Sequence, residues 1–287
     1  MATVYLVDGT FELFRCFHGA PLATGPSGRE VGAARGLLAT LVALVRRHEV
    51  TRAAIAFDSI VAPAPSSGTP GADALIGAQQ PLAADIVRAL GLTLWPAGRY
   101  QADDLLATGA AALARDPAVD RVVICTTDND LAQCVRGDRV VLLDRIRDVI
   151  TDEDGVRAKF GVAPQQIPDL FALIGDRSDG IAGVPGWGAK SAAAVLARYP
   201  RLEDIPDDAS TWEVELRGRE RLGAMLGERR EEALLSRDLS IRRADLPMAV
   251  DLDSVAWHGA RRSLIDPLVA ELGDDTAVER IPRWRHD

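Results

Sequence analysis

The apolar positions of the chain fall first into short continuous runs, each followed by an aspartate. Residues 3–8, TVYLVD, stop at Asp8 before Gly9-Thr10 opens the amphipathic stretch FELFRCF, a pattern that predicts strand, acidic tip and helix. A helical pattern from Gly32 to His48 precedes a second run, Ala53 to Phe57, with Asp58 directly after it. A third, Val122 to Cys125, leads to Asp128 and Asp130, and LAQC then turns back as a short helix. Between the second and third runs, LTLWP predicts a strand, and QADDLLATGAAALARD predicts a helix with Asp103 and Asp104 in its first turn. RVVLLD, residues 139–144, predicts a further strand. Unbroken apolar strands alternating with helices predict an α/β fold whose mostly parallel sheet is covered on both faces.

From Thr151 the pattern changes to helices with proline and glycine breaks. One helix is expected near Thr151, a second from Pro164 to Asp169, and a third from Ala189 to Tyr199, stopped by Pro200. Residues 201–287 read as helical and charged to Arg237, then extended from Leu239 to Val250, with a Trp- and Arg-rich tail. The change of pattern divides the chain into an α/β domain, 1–150, and a helical domain, 151–287. The low-complexity stretch Ala62 to Gly71, APAPSSGTPG, reads as a mobile loop.

In parallel α/β sheets, ligand sites lie outside the carboxyl ends of the strands. An aspartate at one strand end is an ordinary turn residue or helix cap, and Asp103 and Asp104 are equally explained by the helix dipole. Recurrence at the same topological position is what points to a site. Asp176 and Asp179, three apart, could leave one side of a helical turn and join Asp8, Asp58, Asp103, Asp104, Asp128 and Asp130. Like charges so gathered need a counter-charge. Two hard divalent cations about 3.5–4 Å apart would supply it and leave positions for a scissile phosphate and an attacking water. Directly after Asp179, GVPGWGAKS brings Gly183, Val184, Gly186, Trp187, Gly188, Lys190 and Ser191 to the start of a helix. Backbone N–H groups there, with one ammonium, suit the phosphates of a nucleic-acid backbone and read no bases.

Composition narrows this picture. The 287 residues carry 33 Lys and Arg against 42 Asp and Glu, a net charge of −9, which argues against binding of nucleic acid by a broad basic surface. Three cysteines without a CxxC pair argue against a zinc site or a disulfide framework. No apolar run is long enough to span a bilayer, and MATVYLVDG lacks the marks of a signal peptide, so a cytoplasmic location is expected.

VYLVDGTFELFRCFHG, AFD, QADD, TTDNDLAQC and GDRSDGIAGVPGWGAKSA together resemble the motifs of the 5′-nuclease family, which includes flap endonucleases and the 5′-nuclease domain of bacterial DNA polymerase I. The resemblance runs over almost the full length. It implies a PIN-like α/β domain followed by a helix-three-turn-helix DNA-binding segment. It also implies that the eight aspartates ligate Mg²⁺ or Mn²⁺, with Asp8, Asp128 and Asp130 central to catalysis, and that Arg15 approaches the phosphate. A K⁺ ion at the glycine turn, and flap, nicked or duplex DNA with 5′ single strands as partner, are implied in the same way.

Two departures qualify it. Gln101 stands where the family usually has an acid, an amide that still accepts a hydrogen bond but carries no charge. Residues 53–87 contain no Lys or Arg, whereas family members carry a basic helical arch there. The expected activity is therefore metal-dependent 5′-3′ exonuclease or flap endonuclease hydrolysis at a reduced rate. The alternatives are a catalytically weak or inactive DNA-structure-binding paralogue and a PIN-type ribonuclease.

Overall fold

A computed structural model of the chain describes residues 1–59, 71–96, 98–176 and 180–285. Packing divides it into two compact units. The first comprises Met1–Thr127, Leu143–Val149 and Arg243–Asp287, and the second Asp128–Leu142 and Ile150–Arg242. The division is thus more interleaved than a single cut near residue 150. Among the described residues no helix is long and apolar enough to cross a membrane.

The expected strands are present: β1 (Ala2–Asp8), β2 (Ala53–Phe57), β3 (Thr93–Pro96), β4 (Val119–Cys125) and β5 (Val140–Asp144), with a short β6 (Val149–Thr151). Their order in the sheet is β3-β2-β1-β4-β5-β6, and β1 pairs in parallel with both β2 and β4. Val4, Leu6 and Val7 of β1 and all five residues of β2 are buried. This is the double coverage that an unbroken apolar strand requires. The first unit's helices are α1 (Gly9–Gly19), α2 (Gly32–Arg47), α3 (Ala72–Ala89) and α4 (Ala102–Leu113). On α2, Leu37, Leu38, Leu41, Val42, Leu44 and Val45 are buried, the i, i+3/i+4 stripe of a helix laid on a core.

β1 and β2 proceed to one side of the sheet and β4 returns on the other side of β1, so the switch in strand order falls between β1 and β4. The register sets Asp8 beside Ala56, two residues before Asp58, and Val7 beside Cys125, one residue before Thr126. A Cβ on Gly9 would come within 2.8 Å of Ala56 O. Only glycine lets α1 start this close to β2.

The second unit holds α5 (Glu153–Phe160), α6 (Ile167–Ile174), α7 (Ala189–Arg198) and α8 (Arg219–Ser240). Ile167, Leu170, Phe171 and Leu173 of α6 and Leu222, Leu226 and Ala233 of α8 are buried, and α6 packs on both α7 and α8. The expected helix at 164–169 is a 3-10 turn, Pro164–Gln166, leading into α6. The sequence pattern does not show two helices of the first unit, α3 and α9 (Arg262–Leu272). Each contains an internal proline, Pro81 and Pro267, which interrupts the helical signature. The tail closes with a two-residue parallel pair, β7 (Ala260–Arg261) and β8 (Trp284–Arg285). The loop expected at Ala62 to Gly71 lies, apart from Gly71, outside the described residues.

Candidate active site

At the carboxyl end of β1, Asp8 is 5% exposed. Its Oδ1 accepts the N–H of Phe11 at 2.9 Å, capping α1, and its Oδ2 accepts the hydroxyl of Thr126 at 3.2 Å. This second bond spans the strand-order switch, the place where α/β sheets form ligand sites. Asp58, half-buried, donates its N–H to Thr10 Oγ1 at 2.8 Å, and its Oδ1 accepts the N–H of Ala102 at 2.7 Å. That bond ties the tip of β2 to the first turn of α4, which carries Asp103 and Asp104. Asp104 Oδ1 accepts Arg243 N–H at 2.9 Å. Gln101 precedes α4 as its exposed N-cap residue and makes no side-chain capping bond. The N–H groups of Phe11, Ala102 and Arg243 and the hydroxyl of Thr126 are neutral donors, which orient a carboxylate without cancelling its charge.

Arg15 is committed elsewhere. Its guanidinium donates to Glu12 Oε2 at 2.8 and 2.6 Å and to Thr40 Oγ1 at 3.1 Å. Arg145 closes on Glu12 from the opposite carboxylate oxygen, Oε1, at 2.7 Å, and Glu12 is 3% exposed. A buried carboxylate between two guanidinium groups is a strong structural pairing, costly to break on either side. Arg15 is therefore a partner in a buried ionic triad, and its approach to a phosphate is not what the geometry displays. Sequence reading could not find the triad, because Arg145 is 133 residues from Glu12. Burial pushes the Cys125 thiol up to about 12, so thiolate chemistry has no place at this edge of the sheet.

The remaining aspartates belong to the second unit. Asp128 Oδ1 accepts the N–H of Asp130 at 2.9 Å. Asp130, 1% exposed, takes the guanidinium of Arg242 on its Oδ2, and Arg242 is itself 8% exposed. Arg242 has no sequence signal linking it to Asp130, 112 positions away. Asp176 is not on a helical turn as its spacing suggested. Gly175 (φ +84°) ends α6, and Asp176 exchanges backbone hydrogen bonds with Ile181 at 2.9 and 2.7 Å. Asp179 lies outside the described residues.

The glycine turn before α7 is present, with Gly183 at φ +70° and Gly186 at +87°. Gly186, Gly188 and Lys190 are exposed and Ser191 is half-buried. Ser191 Oγ accepts Gly188 N–H at 3.1 Å and donates to Gly188 O at 2.9 Å. Val184 and Trp187, expected among the DNA-contacting residues, are 4% and 7% exposed. Trp187 donates its indole N–H to Leu222 O at 3.1 Å and stacks at 6.0 Å from Trp212. Both side chains are buried, and the Trp187 bond to Leu222 O ties the turn to α8.

Among the described residues no group of three or more His, Cys, Asp or Glu side chains is arranged to hold a metal ion. The donor chemistry nonetheless separates the candidates. Asp8, Asp58, Asp103 and Asp104 offer an all-oxygen set suited to a hard divalent cation, and in the second unit the guanidinium of Arg242 takes one oxygen of Asp130, Oδ2.

A parallel sheet with aspartates at its strand ends and a glycine turn leading into a helix define a nuclease-like α/β architecture. Residues 3–161 match the 5′-3′ exonuclease N-terminal resolvase-like domain and residues 162–263 the 5′-3′ exonuclease C-terminal SAM fold. The chain belongs to the 5′-3′ exonuclease family. It is 35% identical to DNA polymerase I of Pseudomonas aeruginosa over 94% of its own length and 30% of that protein's. To a 5′-3′ exonuclease of Aquifex aeolicus it is 30% identical over 71% of this chain and 72% of the relative. The chain thus spans under a third of the DNA polymerase I length. In fold it is similar to T5 5′-exonuclease with bound zinc ions, at a TM-score of 0.65 and 18% identity over 94% of this chain and 98% of that one. It is also similar to the catalytic core of Rad2 in complex with DNA, at 0.61 and 15% identity over 97% and 90%.

Proposed function

We propose that this chain hydrolyses phosphodiester bonds in structured DNA, as a 5′-3′ exonuclease or flap endonuclease dependent on Mg²⁺ or Mn²⁺. The observation that carries the proposal is the pair Asp8 and Asp58. They end adjacent parallel strands beside the strand-order switch and are held there by backbone N–H groups and the Thr126 hydroxyl. In the first unit Asp8, Asp58, Asp103 and Asp104 would hold the ions, which when bound supply an activated water and charge for the phosphate. The chain's own part is orientation. Phe11 N–H and Thr126 fix the two oxygens of Asp8, and Ala102 N–H fixes Asp58, so little reorganisation is needed as charge develops. The exposed start of α7 with Lys190 would hold duplex phosphates without base readout, and a K⁺ ion against carbonyls of the glycine turn belongs to the same reading. Cleavage of 5′-labelled flap, nicked and blunt DNA in Mg²⁺, Mn²⁺ or EDTA tests it. Metal-dependent release of short 5′ products is expected, and cleavage unaffected by EDTA contradicts it.

A second reading, a DNA-structure-binding protein that cuts slowly, is favoured by the Arg242–Asp130 pair, by Gln101 and by the absence of Lys and Arg from residues 53–87. Electrostatic stabilisation of the kind an arch provides is worth roughly 10²–10³ in rate. Binding of the same flap with no product under single-turnover conditions would select this reading.

A further inference from the structure

Within the first unit, the backbone of Arg243 is fixed on α4 from two sides. Asp104 Oδ1 accepts the Arg243 N–H at 2.9 Å. One turn further along the helix, the buried Thr108 donates its hydroxyl to Arg243 O at 3.1 Å and accepts the Leu246 N–H at 3.3 Å. From this anchored backbone the Arg243 side chain lies over the ring of Tyr100, its Cζ 5.5 Å from the centroid. Arg99 approaches the same ring at 5.1 Å and donates to the Tyr100 hydroxyl at 3.0 Å. Both distances are within cation–π range. Both arginines are exposed, and Asp245 Oδ1, 3.5 Å from Arg243 Nε, forms with it a solvent-screened surface pair.

The ring stands at the strand-tip edge. Tyr100 is two residues before Ala102, whose N–H holds Asp58 Oδ1, and the first turn of the same helix carries Asp103 and Asp104. Residues 53–87 bring no Lys or Arg to that edge, whereas Arg99 and Arg243 bring two guanidinium groups. A guanidinium presents a planar fork of N–H donors matched to phosphate oxygens, and an aromatic ring restrains it while leaving most of those donors for an anion. We infer that Arg99 and Arg243, aligned by Tyr100, bind phosphates of the DNA strand that reaches the strand-tip aspartates. Asp104 and Thr108 position Arg243 for that contact. The inference rests on the DNA-processing reading above and adds to it a strand-binding site made of residues other than the glycine turn and α7.

The test is binding of a 5′-flap DNA to the full chain in EDTA, followed by fluorescence anisotropy across a salt series and repeated with single methylphosphonate linkages, each of which neutralises one phosphate of the flap strand. Arg99→Gln/Arg243→Gln should weaken binding by about tenfold at moderate salt and lower the salt slope by about one to two units, and Arg99→Lys/Arg243→Lys should restore most of that slope. The wild type should lose affinity at one or two neutral linkages to which the glutamine double variant is indifferent. Arg115→Gln, at the far end of α4 and also exposed, controls for net charge. A slope within about half a unit of wild type in the glutamine double variant overturns the inference, as does an equal fall in Arg115→Gln or an unchanged response to the neutral linkages. A lower Tm in the double variant with an unchanged slope gives the cluster a purely structural role and overturns it as well. Cleavage in Mg²⁺ is read separately. A wild type that binds the flap without cutting it contradicts the hydrolytic reading alone, and the slope and the neutral linkages still decide this site. Absence of flap binding by the wild type contradicts both.

Discussion

The strand-tip aspartates of the first unit and the buried aspartates of the second are the same residue type held in opposite ways. Asp8 and Asp58 receive backbone N–H groups and a threonine hydroxyl, neutral donors that fix the direction of a carboxylate. Asp130 is closed by Arg242, and Asp169, also buried, lies 3.8 Å from Arg237 and accepts Leu202 N–H at 3.0 Å. An arginine supplies the counter-charge from within, so the carboxylate becomes part of the scaffold. Glu12, between Arg15 and Arg145, shows that the first unit uses the structural mode as well. What separates a candidate cation ligand from a structural acid is therefore its donor, and neither depth of burial nor position in a motif decides it.

The largest effect should come from breaking the internal pairing on one side. Arg242→Met leaves Asp130 buried without its cation and is expected to destabilise the protein by about 3–5 kcal/mol, read as a fall in Tm or in the midpoint of urea unfolding. A loss under about 1 kcal/mol would show that the pair is solvent-screened like a surface bridge. Next, Asp8→Asn should lower metal-dependent cleavage by more than about 10²-fold, because outer-shell partners alone account for about 10–100-fold. Thr126→Val, which removes only the hydroxyl that orients Asp8, should cost about tenfold. Equal rates for Thr126→Val and wild type would remove the strand-order switch from the mechanism. Smaller again is Lys190→Ala on the exposed start of α7. It should weaken duplex binding evenly across sequences and reduce the salt slope by about one unit, measured by fluorescence anisotropy between low and moderate salt.

The smallest effect concerns Asp169. Burial raises its pKa, ahead of the Leu202 hydrogen bond and Arg237, which act to lower it. A carboxyl raised in the folded state contributes stability that is fully present below its unfolded pKa and is lost as pH rises through the folded one. Asp169→Asn escapes that loss and keeps an oxygen for Leu202 N–H. Its Tm relative to wild type should therefore rise between pH 4 and 7 and be unchanged at the acid end. A gap that narrows with rising pH would mean that Arg237 dominates.

Much of the first unit was legible because its signals are local. TVYLVD and AAIAF are unbroken apolar runs with an aspartate at or after their ends, and both became parallel strands with the carboxylates at one edge. The Ala102–Leu113 helix with its two acids, and the glycine turn before α7, were read from adjacent residues for the same reason. What escaped depends on distant partners or on broken patterns. Arg242 meets Asp130 across 112 positions and Arg145 meets Glu12 across 133. No periodicity encodes such pairs. Pro81 and Pro267 disguise α3 and α9. Asp176 was placed on a helix by spacing alone, whereas Gly175 at positive φ ends α6 one residue earlier. Val184 and Trp187 look like exposed hairpin residues in sequence and prove to be buried, Trp187 with its indole bonded to α8.

The measurement that bears most directly on the whole account is single-turnover cleavage of a 5′-labelled flap by wild type and Asp58→Asn, followed across a Mg²⁺ titration. The Asp58 carboxylate accepts Ala102 N–H, a neutral donor. The wild type should therefore saturate with Mg²⁺, and Asp58→Asn should need at least about tenfold more Mg²⁺ and remain slower at saturation. An unchanged Mg²⁺ dependence and rate in Asp58→Asn would contradict the claim that the strand-tip carboxylates form the catalytic cation site.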